Sequence, residues 1–409
     1  MKITSEQILL SSPLGYLDLE SQALYKNDFF VHTLESDYPF IVFDLGKLVL
    51  SDAILITNRN LNQEIQSRAI GLKLAISENF IDWIDTNLSV GEDLSYFLAI
   101  PTKKFRFIRV ALEDGKNRII NLKSIELFGI KEASNSKKVK FNSHKLISGI
   151  LVNRVYYHTY DWGFFSNLTT TLQDIANHFQ NIDRIDSSYS FSRYKDTQGQ
   201  NTWLEYFSAP NKNIDPFILD DNFYGKDTYQ HAPYKSLDFS VGKQLINSFF
   251  VPSAKVLERF AEIKEKNHID FENTAFIYFR GTDKRTELYG ADVQDYLDQL
   301  NPILESNPNL KVVLQTDDLQ FSQAFQTEFK GSLEVLNELP LIEGDQGFHN
   351  LVSENKFNSS IDFFAIVLLI SQCKYVFLNT SNVSFWATLY RGHADGVIQI
   401  DEPSTQDAA

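Results

Sequence analysis

A dense group of charged residues directly follows an apolar segment in the second half of the chain. The segment, residues 274–279, reads TAFIYF, and the charged residues after it are Arg280, Asp283, Lys284, Arg285 and Glu287. A continuous apolar run of this length is typical of a strand buried on both faces of a parallel sheet. Ligands of such sheets bind outside the carboxyl ends of the strands. The basic residues of this group would therefore face an anionic ligand. A solvated surface loop is the alternative interpretation.

The composition limits the classes of protein to which the chain can belong. Its 409 residues predict two or three domains. A net charge of -15 argues against a general nucleic-acid or anionic-membrane binder. The single cysteine, Cys373, excludes an intrachain disulfide and a cysteine zinc site. The longest apolar run, residues 363–370, is too short to span a membrane, and the first residues lack the pattern of a signal peptide. A cytoplasmic protein is therefore expected.

The first part of the chain has the pattern of an all-β domain. Short alternating apolar runs, separated by turn-forming residues, predict strands at 40–46, 52–59, 71–77, 105–112 and 124–130. A β-sandwich is the natural class for such a segment. Residues 131–145 are polar and rich in lysine and serine, which indicates a linker.

After the linker, helical and strand patterns alternate. Helical periodicity is found at 167–181, 253–268, 293–306 and 360–373. Short apolar runs that predict strands lie at 274–279, 311–316, 333–338 and 374–380. This alternation predicts βαβ units and a parallel sheet. The aromatic-rich stretches 201–210 and 220–234 either line a cleft or belong to the core.

The first part resembles a discoidin (coagulation-factor type C) domain. The matching elements are Phe30 to Thr33, Asp44-Leu45-Gly46, Asn58-Arg59, Arg68, Ser77, Trp83, Phe107 to Val110 and Ile125 to Gly129. The resemblance implies a jelly-roll sandwich over residues 1–133. Members of that fold bind sugars, lipids or proteins, and some serve as interdomain or oligomerisation props. A glycan ligand and a homo-oligomer formed through this domain are both open.

The second part resembles the α1,6- and protein O-fucosyltransferase superfamily, which includes the bacterial nodulation fucosyltransferases. The segment FIYFRGTDKRTE (276–287) is similar to the family's Arg-Arg-Thr-Asp-Lys motif. Three further segments agree in order and spacing: 161–175, 312–321 and 360–392. The resemblance implies a two-lobed GT-B transferase with a double Rossmann arrangement. Residues 146–250 would form the acceptor-side lobe and residues 251–402 the lobe that binds the nucleotide sugar.

The resemblance also implies roles for individual residues. The expected catalytic residues are Arg280, Asp283, Lys284 and Glu287. The expected donor-binding residues are Gly163, Phe164, Tyr278, Asp317, Asp318, Asp362, Thr380, Ser381 and Asn382. No cofactor or metal is expected, because the family works with cationic side chains and takes a GDP-sugar as donor.

Elementary chemistry supports some of these roles and leaves alternatives for others. A guanidinium at Arg280 would stabilise the negative charge that builds on the leaving diphosphate. Ser381 and Asn382 precede an apolar helix pattern, so they either bind an anion or only cap the helix. Asp362 either pairs with guanine or is a carboxylate near a helix N-terminus. Asp317 and Asp318 are expected to have a structural or helix-capping role, or else to contact donor or acceptor.

The chain departs from the family pattern at three places. Gly281 stands where the family has its second arginine, Tyr278 stands where a histidine is usual, and Glu287 is shifted by one position. The catalytic base and the donor sugar are therefore open. The expected function is an inverting, metal-independent fucosyltransferase of bacterial polysaccharide biosynthesis, which uses GDP-fucose and a glycan or glycoconjugate acceptor. The alternatives are a non-catalytic glycan-binding protein with a degenerate transferase domain and a glycosyltransferase that uses another nucleotide sugar.

Overall fold

A computed structural model describes most of the chain. The described residues are 3, 7–11, 31–33, 35–58, 67–86, 88, 95–99, 103–112, 118–132, 143–146, 148–152, 154–158, 162–188, 190–196, 200–211, 233–281, 291–344 and 356–401. The chain divides into two compact units, Met1–Lys145 and Leu146–Ala409.

The first unit is built from β-strands. Its strands are β1 (Ile8–Ser11), β2 (Val31–His32), β3 (Phe40–Leu50), β4 (Ala53–Asn58), β5 (Leu72–Ser77), β6 (Trp83–Asp85), β7 (Ser95–Ala99), β8 (Lys104–Leu112), β9 (Asn121–Phe128) and β10 (Lys131–Glu132). One sheet has the order β1-β3-β8-β5-β6, with β10 on β3, and a second has the order β2-β9-β4-β7. The expected β-rich N-terminal domain is confirmed.

Alternation of apolar residues explains this arrangement, since every second side chain of a strand points to the same face. Ile41 and Phe43 of β3 and Ile108 and Val110 of β8 all lie in the core of this unit. Strand β3 continues beyond the predicted end at residue 46, and its pairing with β8 shifts in register between Asp44 and Val49, as at a β-bulge. Asp44 accepts from Arg106 Nε at 2.6 Å and from Nη2 at 2.8 Å, so an ion pair holds the strands together beside the bulge.

The second unit begins with a small sheet. It has four strands, β11 (Ser143–Lys145), β12 (Gly149–Val152), β13 (Val155–His158) and β14 (Arg184–Asp186), in the order β11-β12-β13-β14. Strands β12 and β13 are antiparallel, whereas β13 and β14 are parallel. Helix α1 (Phe164–His178) connects the two parallel strands, and α2 (Trp203–Tyr206) and α3 (Phe239–Phe249) follow. This part of the unit therefore contains one βαβ element.

A five-stranded parallel sheet forms the rest of the unit. Its strands are β15 (Thr274–Phe279), β16 (Lys311–Thr316), β17 (Leu333–Val335), β18 (Tyr375–Leu378) and β19 (Val397–Gln399). The helices are α4 (Ala254–Lys266), α5 (Val293–Ser306), α6 (Leu319–Glu328), α7 (Lys356–Gln372) and α8 (Asn382–Arg391). The order across the sheet is β17-β16-β15-β18-β19, and each neighbouring pair is parallel. The predicted parallel sheet is confirmed.

Both faces of this sheet are covered. Ala275 and Ile277 pack with α5 and α6, whereas Phe276 and Tyr278 pack with α1, α3, α4, α7 and α8. Because alternate residues of β15 enter two different cores, the strand is apolar throughout, as the sequence indicated.

The larger of these two cores also joins the regions predicted to form two lobes. It runs from Leu151 to Val397 and contains Phe249 and Phe250, which lie at the predicted boundary. The described residues thus show an α/β unit with one shared core, while the division into two GT-B lobes stays a prediction.

Candidate functional site

The order of the parallel strands creates a crevice. Along the chain, the sheet grows from β15 through β16 to β17 on one side and then from β18 to β19 on the other. The direction of growth reverses between β15 and β18, so the connections from these two strands leave in opposite directions. Such a switch point leaves a crevice at the carboxyl edge of the sheet, where ligands of open α/β folds bind. Arg280 follows β15 and Asn379 follows β18, and both therefore lie at this crevice.

Arg280 and Asn379 are joined directly. The main-chain N–H of Arg280 donates to Asn379 Oδ1 at 3.0 Å, and Asn379 Nδ2 donates to the carbonyl oxygen of Arg280 at 2.9 Å. Asn379 was not among the site residues predicted from the sequence. The sequence feature that could have identified it is a polar residue directly after the apolar run of β18. The same feature pointed to Arg280 after β15.

Asp317 holds the residues that follow β15. Its Oδ1 accepts from the N–H of Gly281 at 3.0 Å, and its Oδ2 lies 3.6 Å from Nη1 of Arg280. The two side chains are 11% and 7% exposed, so this ion pair is largely shielded from water. The arginine predicted to meet an anion is therefore held beside a carboxylate.

Asp318 caps helix α6, because its Oδ1 accepts from the N–H of Phe321 at 3.0 Å. The expected capping role is confirmed. Its side chain also fills the space beside Gly281. A Cβ atom at residue 281 would lie 2.3 Å from Asp318 Oδ2 and 2.5 Å from a ring carbon of Phe279. Glycine at this position thus makes room for the side chain of Asp318.

The turn between β18 and α8 is fixed at consecutive residues. The N–H of Thr380 donates to Asp401 Oδ1 at 2.6 Å, and the N–H of Ser381 donates to the hydroxyl of Tyr234 at 3.0 Å. Ser381 caps α8 by accepting from the N–H of Ser384 at 3.2 Å. The capping interpretation of Ser381 is confirmed, and its anion-binding role stays a prediction. Tyr234 ends the aromatic-rich stretch 220–234, but the contacts of Tyr234 and Asp401 with this turn were not predicted from the sequence, because both residues are distant from the turn along the chain.

Asn382 connects the start of α8 to α1. Its Oδ1 accepts from Thr169 Oγ1 at 2.8 Å, and Trp386 Nε1 donates to the same hydroxyl at 3.0 Å. Gly163 is the residue before α1, and Phe164 is its first residue. Phe164 is only 1% exposed, so its side chain serves packing.

Tyr278 is the fifth residue of β15, one position before the carboxyl end of the strand. Its side chain is buried in the larger core, and its carbonyl oxygen accepts from the hydroxyl of Tyr296 at 3.0 Å. The predicted contact of this side chain with the donor stays untested.

Asp362 lies in a surface groove between α4 and α7. Its Oδ1 accepts from Arg259 Nε at 2.5 Å, and the groove encloses about 350 Å³. The residues that line it are Lys255, Glu258, Arg259, Glu262, Asn358, Ile361 and Asp362. The side chains that line this groove are different from those described around Arg280 and Asn379.

Three of the predicted catalytic residues, Asp283, Lys284 and Glu287, lie outside the described residues. Among those that are described, no group of three or more His, Cys, Asp or Glu side chains is arranged to hold a metal ion. No helix in the described ranges is long and apolar enough to cross a membrane.

No protein-family model matches this chain, and no curated protein matches it either. Among solved structures, it is similar to a fucose-binding module of Streptococcus pneumoniae, at 19% identity and a TM-score of 0.26, over 30% of this chain and 92% of that one. It is also similar to the lectin domain of lectinolysin in complex with Lewis b antigen, at 18% identity and a TM-score of 0.24, over 31% and 98% of the two chains. A fucolectin from striped bass (Morone saxatilis) serum is similar at 21% identity and a TM-score of 0.24, over 36% and 56%. With TM-scores this low, these likenesses carry no conclusion about the ligand of this chain.

Proposed function

We propose that the second unit binds a nucleotide sugar at the carboxyl edge of its parallel sheet and transfers the sugar to a glycan or glycoconjugate. The observation that carries this proposal is the switch point between β15 and β18, where Arg280 is bonded to Asn379. Helix α8 begins three residues after Asn379, so its N-terminus lies at the same crevice. A guanidinium and the positive end of a helix dipole both favour a diphosphate at this place.

The charge of Arg280 suits the transition state of the reaction. As the bond between the anomeric carbon and the diphosphate oxygen stretches, negative charge builds on the departing diphosphate. A guanidinium that is held in place beforehand stabilises this charge more than the ground state, and it thereby lowers the barrier. The main-chain bonds to Asn379 and the ion pair with Asp317 hold Arg280 in this way.

The proposed reaction inverts the anomeric centre. The oxygen of an acceptor hydroxyl forms a bond to the anomeric carbon while the bond to the diphosphate breaks, and the hydroxyl proton passes to a carboxylate base. Glu287 is the proposed base, with Asp283 and Lys284 beside it. GDP-fucose is the proposed donor on the family resemblance, and Asp362 would accept from the two guanine donors N1–H and N2–H. No metal takes part in this scheme.

For the first unit we propose glycan binding. The two-sheet sandwich and the discoidin-like motifs of the sequence support this role. A glycan bound to one part of the chain would raise the local concentration of acceptor for the other part. A glycan array probed with the full chain tests this role, and binding to at least one class of glycan is expected. An array without any bound glycan would contradict it.

A non-catalytic protein is the second candidate, and Gly281 favours it. The Asp318 side chain occupies the space beside residue 281, so the cationic group that the family places there is missing. Such a protein would bind the nucleotide or the glycan without turnover.

Nucleotide binding and turnover decide between these candidates. Calorimetry with GDP, UDP and dTDP is expected to give the tightest binding for GDP, and GDP-fucose is expected to release GDP when an acceptor is present. Binding of GDP without release would favour the non-catalytic candidate. Tighter binding of UDP or dTDP would indicate another donor, and no binding of any of the three would contradict the transferase proposal.

A further inference from the structure

Tyr234 makes a two-way contact with the turn before α8. It begins a single 3₁₀ turn, Tyr234–Ser236, and its side chain is completely buried. Its hydroxyl accepts from the N–H of Ser381 at 3.0 Å and donates to the carbonyl oxygen of Ser381 at 3.2 Å. One phenol therefore contacts both main-chain groups of the residue that caps α8, whose carbonyl oxygen also accepts from the N–H of Phe385 at 2.9 Å.

A second connection runs through Gln399. The N–H of Tyr234 donates to Gln399 Oε1 at 2.9 Å, and Gln399 Nε2 donates to Thr380 Oγ1 at 2.8 Å. Through its hydroxyl and its main chain, Tyr234 is thus linked to two consecutive residues of the turn, Ser381 and Thr380. The segment that carries it is 147 positions from Ser381 along the chain.

The chemistry of Tyr234 suits a permanent link. Burial raises the pKa of the phenol, and the hydrogen bond from Ser381 opposes this shift only in part. The hydroxyl consequently keeps its proton throughout the physiological range and remains both donor and acceptor. Removal of the hydroxyl would leave the buried N–H of Ser381 without this acceptor, which is unfavourable.

We infer that Tyr234 is the positioning residue of the phosphate-binding turn. This inference rests on the proposed function, since it assumes that the diphosphate is bound where β18 meets α8. Tyr234 fixes Ser381, and Ser381 in turn fixes the first turn of α8 through its bond to Ser384. A turn held in its binding geometry loses less conformational entropy when the ligand binds, so the affinity is higher.

The substitution Tyr234→Phe tests the inference, because it removes only the hydroxyl. Tyr206→Phe is the matched control: Tyr206 lies in the same core, is 1% exposed, and its hydroxyl bonds with Ser360 Oγ at 2.7 Å and with the carbonyl oxygen of Tyr194. Both variants are expected to lose similar stability. Only Tyr234→Phe is expected to weaken GDP binding, by about three- to tenfold, because a turn that is less firmly held loses more conformational entropy when the ligand binds.

Two further measurements separate positioning from general destabilisation. The affinity for inorganic pyrophosphate, measured by its competition with GDP, should fall by the same factor in Tyr234→Phe. The reason is that the turn is proposed to contact the phosphates and not the base. Hydrogen exchange of the Ser381 amide should become about tenfold faster in Tyr234→Phe and stay unchanged in Tyr206→Phe.

The outcomes are distinct. If the wild type binds GDP and Tyr234→Phe binds it equally well, the inference is wrong while the proposed function stands. If the wild type binds neither GDP nor pyrophosphate, the proposed function fails and the binding role of Tyr234 fails with it. Unchanged exchange at Ser381 in Tyr234→Phe would overturn the inference whatever the nucleotide result.

Discussion

The main chain of Arg280 and the side chain of Asn379 exchange two hydrogen bonds, of 3.0 and 2.9 Å, across the two central strands of the parallel sheet. The pair joins positions that are 99 residues apart at the point where the sheet reverses its direction of growth. An asparagine suits this contact because its side chain presents one acceptor and one donor, as a second main-chain segment would. The carboxyl ends of β15 and β18 are thereby fixed relative to each other.

Substitution of Asn379 tests this contact. Asn379→Ala removes both bonds and should lower the free energy of unfolding by about 2 kcal/mol, since one hydrogen bond contributes about 1 kcal/mol. Asn379→Asp keeps the acceptor for the Arg280 N–H but loses the donor, so its loss at neutral pH should be at least about 1 kcal/mol. Urea denaturation measures both. An alanine variant as stable as the wild type would mean that the contact does not hold the crevice.

The role of Arg280 can be separated from its ion pair. Arg280→Ala should reduce turnover of GDP-fucose by about 10²–10³-fold, and Arg280→Lys should recover part of it, because the planar fork is lost. The double variant Arg280→Ala, Asp317→Asn also removes the negative charge that faces Arg280 in the wild type, so it should be more stable than Arg280→Ala without regaining turnover. Arg184→Ala, which breaks a more exposed pair with Asp186, is the control and should keep full turnover. Wild-type turnover in a folded Arg280→Ala variant would remove Arg280 from the proposed mechanism.

Glycine is expected to be required at position 281. Gly281→Ala places a Cβ within 2.3 Å of Asp318 Oδ2, so the cap of α6 or the ring of Phe279 must shift. The expected loss of stability is about 1–3 kcal/mol, which thermal or urea unfolding can measure. Gly163→Ala is the control, because its Cβ would meet its nearest neighbour, the hydroxyl of Tyr194, at 3.9 Å. Equal stability of Gly281→Ala and the wild type would show that the space beside Asp318 is not limiting.

The guanine contact of Asp362 can be tested against its contact with Arg259. Asp362→Asn should weaken GDP binding and leave UDP binding unchanged, because an amide cannot accept from both guanine donors as a carboxylate does. The stability should change by less than about 1 kcal/mol, since the ion pair with Arg259 is partly exposed. Arg259→Gln is the matched control and should leave GDP binding intact. Equal GDP affinity of Asp362→Asn and the wild type would assign Asp362 only to the ion pair with Arg259.

His158 predicts a dependence of stability on pH. Its ring is fully buried at the end of β13. Burial lowers the pKa of His158 to about 3, and the charge of Lys195 acts in the same direction, while the main chain of Asn167 opposes it. Between pH 6.5 and 3 the unfolded chain binds a proton at His158 that the folded chain does not bind. Stability should therefore fall as the pH drops below 6.5, by about 1 kcal/mol per pH unit.

Urea denaturation between pH 7.5 and 5 measures this effect above the range in which most carboxylates titrate. His158→Phe should remove the slope, because it replaces the ring with an apolar one. His393→Gln should not, because His393 is 52% exposed. The same slope in wild type and His158→Phe would show that another group causes the loss of stability.

Much of the local structure is determined by the sequence alone. The apolar runs at 274–279 and 311–316 have the bounds of β15 and β16, and the helical pattern at 293–306 has the bounds of α5. These elements bury one face or both, and burial leaves a periodic pattern that can be recognised without knowledge of any partner. The same pattern placed Arg280 at the carboxyl end of a buried strand.

Only the tertiary structure decided which residues meet at the crevice. Three pairs of residues meet there across long separations in sequence: Tyr234 with Ser381, Asn379 with Arg280, and Asp401 with Thr380. The sequence placed Asp362 near the N-terminus of a helix, but its partner, Arg259, is set by the packing of α7 against α4. The periodicity of apolar residues predicts whether a side chain is buried, but it does not predict which residues that side chain contacts. The order of the strands and the packing of helices, which depend on the whole core at once, supply that information.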